Sequence, residues 1–178
     1  MDPAENDRYP IGRFQRLSTA LDLEGRAECV GAIEQAPAIF RSLVDGLSEV
    51  ELERAYRPDG WTIRQVVHHV PDSHMNAYIR MKLAVTEETP TIKAYDEARW
   101  AMSPEARSAP VAMSLDLLDA LHRRWVAFLQ MLTAVEFQRT FVHPELGRVS
   151  LDEAVAMYAW HGRHHAAHIR NAVRRDTA

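Results

Sequence analysis

From about Leu23 to Leu47 the apolar positions Cys29, Ile33, Ala36, Phe40, Leu43 and Leu47 recur every three or four residues, the spacing of one helical face. Pro37 falls inside this stripe and has no amide to donate, so a kink or break near Ala36 is predicted. A second helix is predicted from near Thr62 to about Thr86. Asp59-Gly60 marks a turn before it, and Thr62 with Gln65 forms a T-x-x-Q capping box. Its broad face carries Ile63, Val66, Val67, Val70, His74, Ala77, Tyr78 and Met81, with Pro71 as a second kink point. The third helix takes Ser114 as N-cap and Asp116 in its first turn. Leu115, Leu118, Leu121, Trp125, Phe128, Leu129 and Leu132 form its stripe, and it ends near Thr133. The fourth opens on the S-x-x-E box Ser150 to Glu153 and runs to about Arg174, with Arg170, Arg174 and Arg175 near its negative end.

The remaining segments lack a sustained period. Residues 1–21, rich in Pro, Gly and polar side chains, read as an irregular arm packed on the domain. Glu87 to Pro110 holds three prolines and reads as a long crossover loop, with a short helix around Glu97 to Met102. Phe141-Val142 and Arg148-Val149 flank a turn, and an extended turn rather than a true sheet is expected there. Four long helices without a strand pattern predict an all-α four-helix bundle, one domain over residues 1–178.

Composition narrows the function. Hydrophobic residues make up 47% of the 178, enough for one core. With 26% charged residues and a net charge of -4, the chain offers no broad attraction for nucleic acid or anionic lipid. Even the apolar stretch from Val111 to Leu132 is interrupted by Asp116, Asp119, Arg123 and Arg124, so no membrane span is expected. Cys29 is the only thiol and the first residues do not resemble a secretory signal, so a cytoplasmic protein without disulfides is expected. Cys29 itself sits among core positions with no basic cluster nearby, as a packing residue would.

Histidine stands out. There are nine, four of them between His161 and His168. His161 and His165 are four apart, so both project from one helical face and can hold one ion together. His164 and His168 form a second such pair, and spacing alone does not choose between them. Two imidazoles bind weakly. A bundle recruits further ligands from a facing helix, which makes His68, His69 and His74 the natural donors. Neutral imidazoles suit zinc, nickel, copper or iron, and three of them leave positions open for water or substrate. The competing reading of such histidines is hydrogen-bonded packing.

At these residues the chain resembles the DinB-like superfamily and, within it, the YfiT subfamily, first described as metal-dependent hydrolases and later linked to bacillithiol S-transfer. The segments that carry the resemblance are Tyr9-Pro10-Ile11-Gly12, GWTIRQVVHHVPDSHMNAYIRMKLAVTEETP from Gly60 to Pro90, and YDEARW from Tyr95 to Trp100. Leu121-His122, Arg124-Trp125, His143-Pro144, and YAWHGRHHAAHI from Tyr158 to Ile169 continue it. The resemblance implies one divalent metal ion per subunit, zinc first and nickel second, on His69, His161 and His165. Pro71 departs from the small residue expected two positions after the first ligand, and a rotation of His69 would follow from it. His68, Asp72, His164 and His168 are candidates to orient the ligands from outside, and Asn76 and Arg80 to line the cleft. Trp160 is expected to pack. The implied activity is transfer of a low-molecular-weight thiol of the bacillithiol type to a small electrophilic substrate. The alternative is hydrolysis by a metal-activated water, and a third reading is a non-catalytic, metal-stabilised binding module with a closed site. Relatives of this kind form homodimers, and an exposed face of helix one or three offers a two-fold contact.

Overall fold

The computed structural model describes residues 3–174. In chain order the elements are α1 (Pro3–Arg8), α2 (Leu23–Val44), α3 (Glu49–Leu52), α4 (Ile63–Thr86), α5 (Glu97–Ala101) and α6 (Pro104–Ser108). Then come α7 (Val111–Gln130), α8 (Ala134–Phe137), β1 (Thr140–His143), β2 (Gly147–Ser150) and α9 (Leu151–Arg174). The long helices are α2, α4, α7 and α9. Both α2 and α4 pack on α7 and α9, so each long helix touches two others and the apolar stripes meet in the middle of a four-helix bundle.

Buried side chains fall into two groups. One holds Val30, Met81, Trp125, Leu129 and Val155, and the other Phe40, Val67, Leu118 and Ile169. The C-terminal halves of both α4 and α7 lie in the first group, so these two helices run the same way. Their connection must retrace the bundle, roughly 36 Å for the 24 residues of α4. That is why residues 87–110 are long. They are less irregular than their prolines imply, since α5 and α6 form within them and pack against α4. The candidate ligands on α4 and α9 fall where the two apolar groups join.

Several local expectations change. Neither proline breaks its helix: α2 runs through Pro37 and α4 through Pro71. Among the described residues of the arm, Pro3–Arg8 is a short helix and residues 9–22 are irregular. Ser114 is not an N-cap. Helix α7 starts three residues earlier, after Pro110, and the Ser114 hydroxyl bonds His68 instead. The segments around the His143-Pro144 turn form a true antiparallel hairpin, with Phe141 opposite Val149 and both buried. Strands of four residues are too short for alternation to register, and Gly147 at φ 70° closes the turn. Both halves of the Thr62–Gln65 capping box are made. Ser150 accepts from the Glu153 amide at 3.1 Å, but the Glu153 carboxylate leaves the box to pair with Arg16 of the arm. Arg175 of the predicted helix end, like residues 1–2 of the arm, lies outside the described residues. Among the described residues no helix is long and apolar enough to cross a membrane. Cys29 packs against the core, and burial raises its pKa.

Asp152 ties three segments together. Fully buried, it accepts from Arg26 at 2.8 and 3.1 Å and from Gln138 at 2.8 Å. Asp152→Ala strands the Arg26 guanidinium in a site that is nearly closed to water. A loss of about 3 kcal/mol in unfolding free energy is expected, measured by urea denaturation.

Candidate metal centre

The Thr62 cap fixes the start of α4 and places His69 on its second turn, facing α9. There it meets His161 and His165, one turn apart. One ring nitrogen from each of the three lies within 4.8 Å of the others. His69 Nε2 and His161 Nε2 are 3.4 Å apart. Bonds of about 2.0–2.1 Å to a tetrahedral ion would hold ligand nitrogens about 3.4 Å from one another, so the spacing fits a shared metal. Pro71 has not turned His69 away.

Burial dominates the electrostatics. It pushes the His69 pKa down to about 4, with a smaller contribution from His168, and holds those of His161 and His165 well below the ordinary value. All three are therefore neutral at pH 7 and offer lone pairs, the form a metal requires. Trp61 covers the group, its ring centroid 4.7 Å from His69 and 6.5 Å from His165.

A second group, His164, His165 and His168, is also close enough to hold an ion. Its hydrogen bonds say otherwise. His168 Nε2 lies 3.2 Å from the Arg8 carbonyl, which only accepts, so that nitrogen carries the proton. His168 Nδ1 then has the lone pair, and it faces His165 Nδ1 at 3.3 Å. His165 must donate from Nδ1, which leaves its Nε2 lone pair for the His69–His161 side. His168 thus orients His165 from outside, and Tyr56 stacks on its ring at 3.9 Å.

The other outer candidates behave differently. His68 points away: Nδ1 accepts from Ser114 Oγ at 2.7 Å and Nε2 donates to the Ala109 carbonyl at 3.1 Å, which ties α4 to the start of α7. Asn76 donates to the Asp72 carbonyl of its own helix. Asp72 stays half-buried, its pKa raised to about 6 by burial and by Glu105, and it is not part of the histidine group. His164 stacks on Trp160 with centroids 4.5 Å apart, and its buried Nδ1 has no partner. Trp160 therefore both packs, as expected, and walls the cleft.

The histidines open into a cavity of about 550 Å³. Arg80 lines it, buried and donating to the Lys93 carbonyl at 3.0 Å. Tyr95, Tyr158 and His143 also line it and were not singled out as cleft residues from sequence. His143 Nδ1 accepts from the Glu145 and Leu146 amides at 3.2 and 3.4 Å, so its proton is on Nε2. Tyr95 and His143 stand on the long connection and the hairpin, where no period links them to a helix face. Their place in segments resembling a family was the only available signal.

Comparison with known proteins agrees with this architecture. The family model of the DinB superfamily matches residues 32–169. A protein of Oceanobacillus iheyensis is 45% identical over 170 residues, 96% of this chain and 98% of its own length. One of Bacillus mycoides is 49% identical over 162 residues, 91% of this chain and 92% of its own. Both carry names proposing a metal-dependent hydrolase. The solved structure of YfiT from Bacillus subtilis, described in the same terms and as an unusual four-helix bundle, superposes with a TM-score of 0.94 at 42% identity, covering 97% of this chain and 98% of that one. TT2238, another four-helix bundle, shares the fold at a TM-score of 0.54 and 20% identity, over 79% of this chain and 94% of that one. The chain belongs to the DinB superfamily, with YfiT as its close structural relative.

Proposed function

We propose that the chain is a metal-dependent hydrolase whose ion is held by His69, His161 and His165. The observation that carries this reading is the convergence of three neutral imidazoles at metal-ligand spacing on the floor of a substrate-sized cavity. The names of the relatives point the same way. A divalent ion bound there, zinc first and nickel second, supplies a Lewis acid that acidifies an entering water or thiol near neutral pH. The chain does the rest. Trp61 keeps bulk water off the ligand rings, and the Arg80 guanidinium and the His143 Nε2–H offer donors to polar groups of a substrate in the cavity.

A second reading, transfer of a low-molecular-weight thiol to an electrophile, has its own support. Among the described residues no carboxylate or cysteine joins the three imidazoles. Hydrolysis gains from a nearby acid to protonate a leaving group, whereas a thiol that has lost its proton on entry needs none to attack an electrophile. A closed, non-catalytic site requires a fourth protein ligand. His168 is engaged by Arg8 and His165, and Asp72 stands outside the group, so that reading is not favoured.

The test is a comparison of metal-loaded and metal-free protein on ester and amide panels without thiol, and on monochlorobimane with bacillithiol, cysteine or glutathione. Metal-dependent turnover on the panels is the expected result. Conjugation alone, faster with metal than without, transfers the assignment to the second reading, and no metal-dependent rate in either assay overturns both.

A further inference from the structure

His74 and His122 took no part in the site described above, yet both are fully buried, on α4 and α7. They form a chain. His122 Nδ1 lies 2.6 Å from the Ile33 carbonyl of α2, His122 Nε2 lies 2.7 Å from His74 Nδ1, and His74 Nε2 lies 3.0 Å from His161 Nδ1. The carbonyl can only accept, so the direction of every link follows from it. His122 carries its proton on Nδ1 and a lone pair on Nε2. His74 then donates from Nδ1 and accepts at Nε2, and His161 donates from Nδ1. Its Nε2, 3.4 Å from His69 Nε2 and 3.5 Å from the Ser73 hydroxyl, is left with the lone pair.

Reversing the chain is costly. If His161 carried its proton on Nε2, His74 would have to donate from Nε2, and its Nδ1 lone pair would face the His122 Nε2 lone pair at 2.7 Å. A second proton on either ring would relieve the clash only by placing a charge on a ring closed off from water.

We infer that His74 and His122 are positioning residues: a buried imidazole relay, anchored on the Ile33 carbonyl, that sets the tautomer of His161 and holds its Nε2 ready for a metal ion. The relay links all four long helices, so the readiness of the site depends on α2 and α7, which contribute no ligand. Together with the Arg8–His168–His165 chain, it gives both α9 ligands a similar arrangement, each donating from Nδ1 into a run of imidazoles, one for His165 and two for His161, that ends on a backbone carbonyl. An outer-shell donor of this kind also makes the ligand more basic.

The inference rests on His161 being a ligand, and the experiment separates the two claims. Long-range ¹H–¹⁵N spectra of histidine-labelled, metal-free protein should show His122, His74 and His161 all protonated on Nδ1. A proton on His161 Nε2 in the wild type overturns the relay whether or not zinc binds. Failure of the wild type to bind zinc, with the tautomers as stated, sinks the ligand assignment and leaves the relay standing. Two variants then test its effect on zinc affinity, read by competition with a chromophoric chelator. His122→Gln can still donate to Ile33 and accept from His74, and should stay close to wild type. His122→Met cannot do either, and should bind zinc about 10- to 100-fold more weakly and show mixed tautomers at His161. Equal losses in the two variants, or none in His122→Met, overturn the role in metal binding. If His122→Met does not fold, His122→Gln and the wild-type spectra still decide.

Discussion

His165→Ala is expected to abolish stoichiometric zinc binding and, with it, any metal-dependent activity. Two imidazoles remain, and the loss should exceed the roughly 10- to 100-fold that follows from removing an outer partner such as His168. Stability gives an independent readout. A ligand present at about 1,000 times its dissociation constant stabilises the folded state by about 4 kcal/mol, which for a chain of this size is a shift of about 8–16 °C in melting temperature. A chelator should therefore lower the melting temperature of the wild type and leave that of His165→Ala unchanged. His165 belongs to both histidine groups, so this variant alone does not say which group holds the ion. His161→Ala does, since it leaves His164, His165 and His168 intact. If His161→Ala still binds one zinc per chain tightly, the ion sits in the second group and the assignment made here fails.

Helical periodicity was enough to place the four long helices, because each buries a stripe of apolar residues wide enough to read. The cap at Thr62 was legible for the same reason, being a local motif that local chemistry completes. What depends on tertiary contact was not. Ser114 looks like a cap by composition, but Pro110 starts the helix earlier and the hydroxyl is drawn to His68. The Glu153 carboxylate is likewise drawn out of its box by Arg16, 137 residues away in sequence. In the site, spacing proposed two histidine pairs on α9 and stopped there. The resemblance pointed to His161 and His165, but the hydrogen bonds that orient these rings end on the carbonyls of Arg8 and Ile33, which no sequence pattern announces. For the same reason His68 and His69, adjacent in sequence, part company: one residue rotates a side chain by about 100° round a helix, and only His69 faces α9.

The concentration of buried imidazoles should make the metal-free protein unusually sensitive to acid. Besides His143 on the hairpin, seven histidines have lowered pKa values: His69, His74, His122, His161, His164, His165 and His168. Burial is the first cause in each. Above pH 6.5 folded and unfolded chains both keep these rings neutral, and the full stability is present. Below it the unfolded chain takes up protons while the folded chain does not, until pH reaches about 4 for His69, His122 and His168. The unfolded state binds more protons throughout that window, so stability falls as pH falls. Each such shift is worth roughly 3 kcal/mol once the window has been crossed, and three of them approach the roughly 5–15 kcal/mol that holds a typical domain together. Asp72 works the other way. Its folded pKa of about 6 favours the folded state between that value and its ordinary 3.8, but it is half-exposed and is one group against seven. Urea denaturation of metal-free protein at pH 7.5, 6.0 and 5.0 should show a steep fall, with a slope equivalent to uptake of more than one proton. His122→Gln removes one titrating ring and should reduce that slope by about one proton. A stability that stays flat from pH 7.5 to 5.0 would mean that these imidazoles are solvated in solution, and the dry, neutral site from which both relays were derived would not exist.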